Sequence, residues 1–235
     1  MKVVGLLGGM SWESTLTYYQ GLNRGVRERL GGLHSARCLV ASVDFAEVER
    51  MQERGAWDEA GAYLASWAKR LEAGGAECLV LCTNTMHRVI DAISAAVSIP
   101  ILHIAEGTAD ALLADDVHTV GLLGTRYTME QDFYRSILEA RGLTVVTPDE
   151  PGRTVVHDII YDELCLGKVL DHSRQAYVSV VESLKQNGAQ AVILGCTEIG
   201  LLLDRETSPL PVYDTTLLHI EAALDWALKP AERAR

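Results

Sequence analysis

A chain of 235 residues with 48% hydrophobic side chains can bury a sizeable core, as one large domain or two small ones. Its net charge of −11 disfavours nucleic acid as a partner, because phosphate binding needs a basic surface, and leaves any anionic substrate to be held by local donors. No apolar run reaches the roughly 18 residues of a membrane span, and the five cysteines, odd in number and without CxxC spacing, argue against a disulfide framework or a zinc site.

The start, MKVVGLLGG, reads as a first buried strand over 3–7 rather than a secretory leader, since its apolar run is short and ends in glycines. A helix follows from Ser14 to about Leu30, closed by Gly31-Gly32. Strand Cys38 to Val43, helix Trp57 to Ala73 and strand Glu77 to Leu81 come next, then a helix from about Met86 and a short strand at Ile101-Leu102. The second half repeats the theme. Thr119 to Leu123 is a strand, 130–140 a helix, Thr144-Val145 a strand, Ser173 to Gln186 a helix and Ala191 to Leu194 a strand. Pro209 and Pro211 punctuate a last short strand, Thr215 to Leu228 forms a final helix, and the tail from Pro230 is expected to fray. The strands are continuously rather than alternately apolar, which predicts parallel sheets covered on both faces.

Two strand–loop pairs recur. GLLGG at 5–9 and GLLGT at 121–125 open the halves; AECLVLCTNTMH at 76–87 and AVILGCTEIG at 191–200 follow. Gly5 lies 78 residues before Thr83, and Gly121 lies 75 before Cys196. The fold class is therefore α/β: two pseudo-symmetric domains, each a mainly parallel sheet flanked by helices, with the active site expected in the cleft between them. Their expected limits are 1–105 with 213–235, and 106–212.

Ligands of parallel α/β sheets sit at the carboxyl ends of the strands, and four such ends carry chemistry here. In Gly8-Gly9-Met10-Ser11-Trp12, glycine backbone N–H groups and a helix N-terminus suit an anion. The bland reading is a tight strand–helix turn; neither a dinucleotide fingerprint nor a phosphate loop is present. In Cys82-Thr83-Asn84-Thr85-Met86-His87, Asn84 and Thr85 can donate to a carboxylate, and His87 fixes the loop rather than acting as a base. The bland reading is a helix cap. Gly124-Thr125 is a weak signal alone. In Gly195-Cys196-Thr197-Glu198, a cysteine at a helix start is expected to have a lowered pKa and to serve as a thiolate base, against the bland reading of an inert buried thiol. Trp57, Trp67 and Trp226 read as core, and Cys38 and Cys78 as packing.

TNTMH at 83–87, GCTEI at 195–199, GGMSWEST at 8–15 and LLGTRYTMEQDFY at 122–134 resemble the aspartate/glutamate racemase family, which works without pyridoxal phosphate. The likeness spans the whole chain and is closest to the bacterial broad-specificity amino-acid racemases. It implies an isomerase that inverts Cα by proton abstraction and return from opposite faces, with neither metal nor organic cofactor. Its catalytic positions fall on Thr83 and Cys196, with Cys196 working on the L enantiomer. The substrate-binding set is Met10, Gln52, Asn84, Thr85, Thr125 and Thr197. The family's first catalytic position is usually cysteine; here it is Thr83, and strand alternation turns Cys82 away. Gln52 and Cys165 stand where the resemblance leads one to expect basic residues that read an acidic side chain, so homoserine-like and other substrates stay open beside aspartate and glutamate. Two alternatives accompany this reading. One is a single-cysteine isomerase or decarboxylase of small dicarboxylates; the other is a non-catalytic amino-acid-binding protein. The expected partner is a small-molecule amino acid, with no nucleic acid and no membrane, in a cytoplasmic protein whose default assembly is a homodimer.

Overall fold

The computed structural model describes residues 1–230 and divides them between two compact units, one built from 1–103 with the chain from 219 onward, the other from 104–218. The first unit holds β1 (Val4–Gly8), α1 (Trp12–Leu30), β2 (Cys38–Ser42), α2 (Phe45–Glu53), α3 (Trp57–Ala73), β3 (Cys78–Leu81), α4 (Ile90–Ser94) and β4 (Ile101–Leu102). The second holds α5 (Ile104–Ala114), β5 (Thr119–Gly124), α6 (Arg126–Glu130), α7 (Asp132–Ala140), β6 (Thr144–Val146), α8 (Glu150–Asp162), α9 (Asp171–Gln186), β7 (Ala191–Gly195) and β8 (Val212–Asp214). α10 (Thr215–Leu228) begins in the second unit and continues in the first from His219. The expected frayed tail lies, from 231, outside the described residues.

Each unit is one four-stranded parallel sheet, in the order β2-β1-β3-β4 and β6-β5-β7-β8. Successive residues of the central strands face opposite sides, as strand geometry requires. Leu7, Leu79 and Leu81 join one core cluster of the first unit, while Val4, Leu6, Cys78, Val80 and Cys82 join the other. In the second unit Leu123, Val192 and Leu194 face one cluster, and Val120, Leu122, Ala191 and Ile193 face another. Both faces of each sheet are covered, which is why the strands read as unbroken apolar runs.

Several expectations are corrected. Residues 213 and 214 stay with the second sheet because β8 pairs with β7, so the return to the first unit comes at 219. The helix expected from Met86 is a 3-10 turn over Thr85–Val89 followed by the short α4. Helices α2, α5 and α8 were not expected. α8 carries Pro and Gly in its first turn, where proline costs no helical hydrogen bond, and Asp149 caps it by accepting from Gly152 N–H at 3.0 Å. The three tryptophans lie at the core margin. Each has a cation over its ring at 4.3 Å: Arg88 on Trp57, Arg70 on Trp67 and Lys2 on Trp226.

Under the first sheet the Tyr18 hydroxyl lies 2.8 Å from His219 Nδ1, and His219 Nε2 lies 2.9 Å from the Leu102 carbonyl. A carbonyl only accepts, so Nε2 carries the proton and Tyr18 donates to Nδ1. Burial pushes the His219 pKa down to about 4, and nearby His103 adds to the fall. The unfolded chain binds this proton near pH 6.5 and the folded chain does not, so stability is full above pH 6.5 and is lost as pH falls towards 4. The loss from His219 is about 3 kcal/mol across that window. Urea unfolding is expected to show a lower midpoint at pH 5 than at pH 7; an equal or higher midpoint at pH 5 would contradict the buried neutral ring.

Candidate active site

The loop after β1 is tightly self-satisfied. Ser11 caps α1 by accepting from Ser14 N–H at 3.2 Å, and Gly9 N–H donates to Thr15 Oγ1 at 2.7 Å. Thr15 Oγ1 in turn donates to the Ser11 carbonyl at 2.9 Å. The Gly9 N–H is therefore not aimed at an anion, against the expectation from its glycines. Gly9 has φ +91°, and a Cβ there would lie 2.3 Å from the Val43 carbonyl oxygen. Gly9→Ala is thus expected to cost on the order of 3 kcal/mol in chemical denaturation, from positive φ and overlap together; a loss below about 0.5 kcal/mol would contradict this packing. Met10 is buried in the core cluster that also holds Met86.

The loop after β3 is the more polar of the two in the first unit. Thr83, Asn84, Thr85 and His87 are all buried. Asn84 occupies the cap position of the 3-10 turn but makes no side-chain capping bond, so helix capping does not account for it. Gln52, buried near the end of α2, donates from Nε2 to Met86 Sδ at 3.0 Å, which brings this expected substrate-binding residue to the Thr83 loop. Cys82 faces the opposite cluster from Leu81, is fully buried, and has its thiol pKa pushed up by burial. It is a packing residue, as strand alternation predicted.

In the second unit Cys196 follows β7 and precedes a 3-10 turn over Thr197–Leu201. It is half-buried, and its Sγ donates to Glu198 Oε2 at 2.9 Å. The Thr197 hydroxyl donates to the same oxygen at 2.6 Å. Burial first, and the Glu198 carboxylate second, push the Cys196 pKa well above the ordinary thiol value. This corrects the expectation of a lowered pKa. The one-turn 3-10 element supplies no long helix dipole, and an anion stands beside the sulfur. The resting group is a thiol whose proton already has an acceptor. Thr197 is likewise committed to Glu198 rather than presented to a substrate carboxylate. Thr125 caps α6, its hydroxyl accepting from Thr128 N–H at 3.4 Å.

The two loops occupy equivalent places in the repeat. Leu7 pairs with Leu81 and Leu123 pairs with Leu194. Matching GLLG at 5–8 with GLLG at 121–124 then sets Leu81 against Leu194, Cys82 against Gly195 and Thr83 against Cys196. The sheet register thus singles out Thr83, not Cys82, as the counterpart of Cys196.

Residues 7–223 match the family model described as Asp/Glu/Hydantoin racemase. The chain belongs to this racemase family. A candidate Asp/Glu racemase from Yersinia pestis has a solved structure that is 50% identical, with TM-score 0.91, over 97% of this chain and 100% of that one. An aspartate racemase homologue from Pyrococcus horikoshii is 32% identical, with TM-score 0.84, over 97% and 99%. The broad specificity amino-acid racemase RacX of Bacillus subtilis is 27% identical over 159 residues, 68% of each chain. The protein is accordingly an isomerase, an amino-acid racemase of this family. Its two parallel four-stranded sheets flanked by helices are the racemase fold. Among the described residues no helix is long and apolar enough to cross a membrane, and no group of His, Cys, Asp and Glu has the arrangement of a metal site.

Sequence reasoning did not single out Glu198 as a functional residue. Its signal was present in the GCTE run, but only the folded 3-10 turn shows the carboxylate turned back on the sulfur two residues earlier.

Proposed function

We propose that Thr83 and Cys196 are the two proton-transfer residues of a cofactor-independent racemase acting on one amino-acid Cα. The observation that carries this is their equivalence in the register of the two sheets. Cys196 serves the L enantiomer. As its sulfur takes the α-proton, the thiol proton passes to Glu198 Oε2, so that thiolate character arises only during the transfer. Negative charge moves onto the substrate carboxylate, which Asn84 and Thr85 are proposed to stabilise as donors. Thr83 delivers or removes the proton on the other face, directly or through water. Met10, Gln52, Thr125 and Thr197 complete the proposed surroundings. Thr125 and Thr197 act there by shaping the two loops, given the capping bond of one and the Glu198 bond of the other. The substrate is a free amino acid: aspartate, glutamate or a broader set, in keeping with the names of the relatives, with homoserine-like side chains among the candidates because Gln52 and Cys165 are uncharged. A homodimer in the cytoplasm is the proposed setting.

The test is α-proton exchange in deuterated water across the common L- and D-amino acids. Exchange with at least one is expected; none with any would overturn the reading. Purified protein is expected to show no pyridoxal phosphate absorbance, and full activity after chelator treatment. Activity lost to chelator and restored by one metal would contradict cofactor independence.

Glu198 has two opposed effects on Cys196: its charge raises the thiol pKa, and its oxygen receives the thiol proton. If the second governs the rate, Glu198→Gln lowers exchange of the L enantiomer about tenfold to a hundredfold at neutral pH. In the same variant Cys196 is expected to be alkylated faster, because the neighbouring anion is gone. A variant faster in both exchange and alkylation would show Glu198 to be only a brake.

A further inference from the structure

Thr83 lies between two peptide planes, and side chains hold both. The carbonyl of Cys82 accepts from Ser14 Oγ at 2.9 Å, and the carbonyl of Thr83 lies 2.9 Å from His87 Nδ1. These planes set the direction of the Thr83 Cα–Cβ bond, and through it the reach of the hydroxyl. The second unit does this differently. There the carbonyl of Cys196, at the equivalent position, accepts a backbone N–H from Ile199 at 3.2 Å. The backbone bond survives any change of side chain. The bond to Thr83 depends on one imidazole in one tautomer.

That tautomer follows from the partner. A carbonyl oxygen only accepts, so Nδ1 of His87 must carry a proton. The ring is also held neutral. It is buried, with the His103 ring edge-on at 4.4 Å and the His219 ring at 6.0 Å. A charge on one ring would stand in a dry site beside two further titratable rings. Burial and these neighbours hold the His87 pKa well below the ordinary histidine value. His219 is itself locked by Tyr18 and the Leu102 carbonyl, so one of the rings against His87 is fixed in place.

We infer that His87 is a positioning residue for the Thr83 side of the reaction, its buried imidazole donating Nδ1–H to the Thr83 carbonyl from among the edge-on rings of His103 and His219. The inference rests on the proposed role of Thr83 and goes beyond it. His87 touches no reacting atom; it acts through Thr83. The consequence is directional. Loss of the Nδ1–H loosens Thr83 and slows proton removal from the D enantiomer. Removal from the L enantiomer, assigned to Cys196, is unaffected.

Two neutral substitutions of similar polarity separate position from mere filling. In His87→Asn the amide nitrogen can occupy the place of Nδ1; in His87→Gln it falls near that of Nε2. The probes are the L and D forms of aspartate, glutamate and homoserine, each followed by α-proton exchange in deuterated water, and the pair that wild type exchanges fastest is compared. H87Q is expected to lower D exchange about tenfold relative to L exchange, the scale of a misplaced reacting group, while H87N keeps the wild-type ratio. Equal losses for both enantiomers, or H87N no better than H87Q, would overturn the inference. Nitrogen-15 spectra of the wild-type imidazoles test it without any variant: His87 is expected to be the neutral Nδ1–H tautomer, and an Nε2–H tautomer or an imidazolium at neutral pH would refute it. Thr83→Ala separates the two readings. If D exchange survives in Thr83→Ala, the role of Thr83 itself fails. If D exchange is lost there but unchanged in H87Q, only the role of His87 fails.

Discussion

Cys196→Ser is expected to lower α-proton exchange of the L enantiomer by at least about two orders of magnitude, the scale of removing a positioned acid–base group. A serine can keep the bond to Glu198, but its hydroxyl has no accessible ionisation near neutral pH. The same burial and the same neighbouring carboxylate that raise the cysteine pKa would oppose an alkoxide still more. The loss should therefore fall on proton transfer and leave the fold intact, with an unchanged circular dichroism spectrum and thermal midpoint. Cys38→Ser, half-buried on β2 at the far end of the strands from the loops, is expected to keep near-normal turnover. Near-normal turnover in Cys196→Ser with a native fold would remove Cys196 from the mechanism.

The second large effect is a gain. A threonine hydroxyl is a poor base, so in the proposed mechanism α-proton removal from the D enantiomer should be the slow exchange. Thr83→Cys places a thiol at the position the sheet register sets against Cys196, and a thiol ionises far more readily than a hydroxyl. The rate of α-proton exchange from the D enantiomer, followed in deuterated water, is expected to rise about tenfold or more, with exchange from the L enantiomer little changed. Equilibrium between the enantiomers is untouched, since a catalyst changes both directions together once both faces work. If Thr83 only shaped the turn, the variant would instead lose about 1 kcal/mol of stability and keep the wild-type ratio of rates.

The sheets were legible because burial on both faces leaves unbroken apolar strands, as in Leu79-Val80-Leu81 and Val192-Ile193-Leu194, and because GLLG recurs at the head of each half. Strand order was not legible: nothing in a single strand says which neighbour it pairs with. α8 escaped notice because Pro151 and Gly152 look like a break, whereas in a first turn capped by Asp149 they are tolerated. The site divided in the same way. Thr83, Asn84 and Cys196 could be picked out by type and place at a strand end. The electrostatics of Cys196 could not, because they depend on a tight 3-10 turn that folds Glu198 back onto the sulfur. Gly9 misled for a related reason. Its freedom of φ serves a turn closed by Thr15 and packed on Val43, not an open cradle of N–H groups.

The most direct measurement compares initial α-proton exchange rates of L and D enantiomers of the same amino acid, in deuterated water, with the wild-type protein. The proposed roles, a Cys196 thiol relayed to Glu198 for the L enantiomer and a Thr83 hydroxyl for the D enantiomer, predict that the L enantiomer exchanges much faster than the D. Equal rates for the two enantiomers, or faster exchange of the D form, would contradict the division of labour between Cys196 and Thr83.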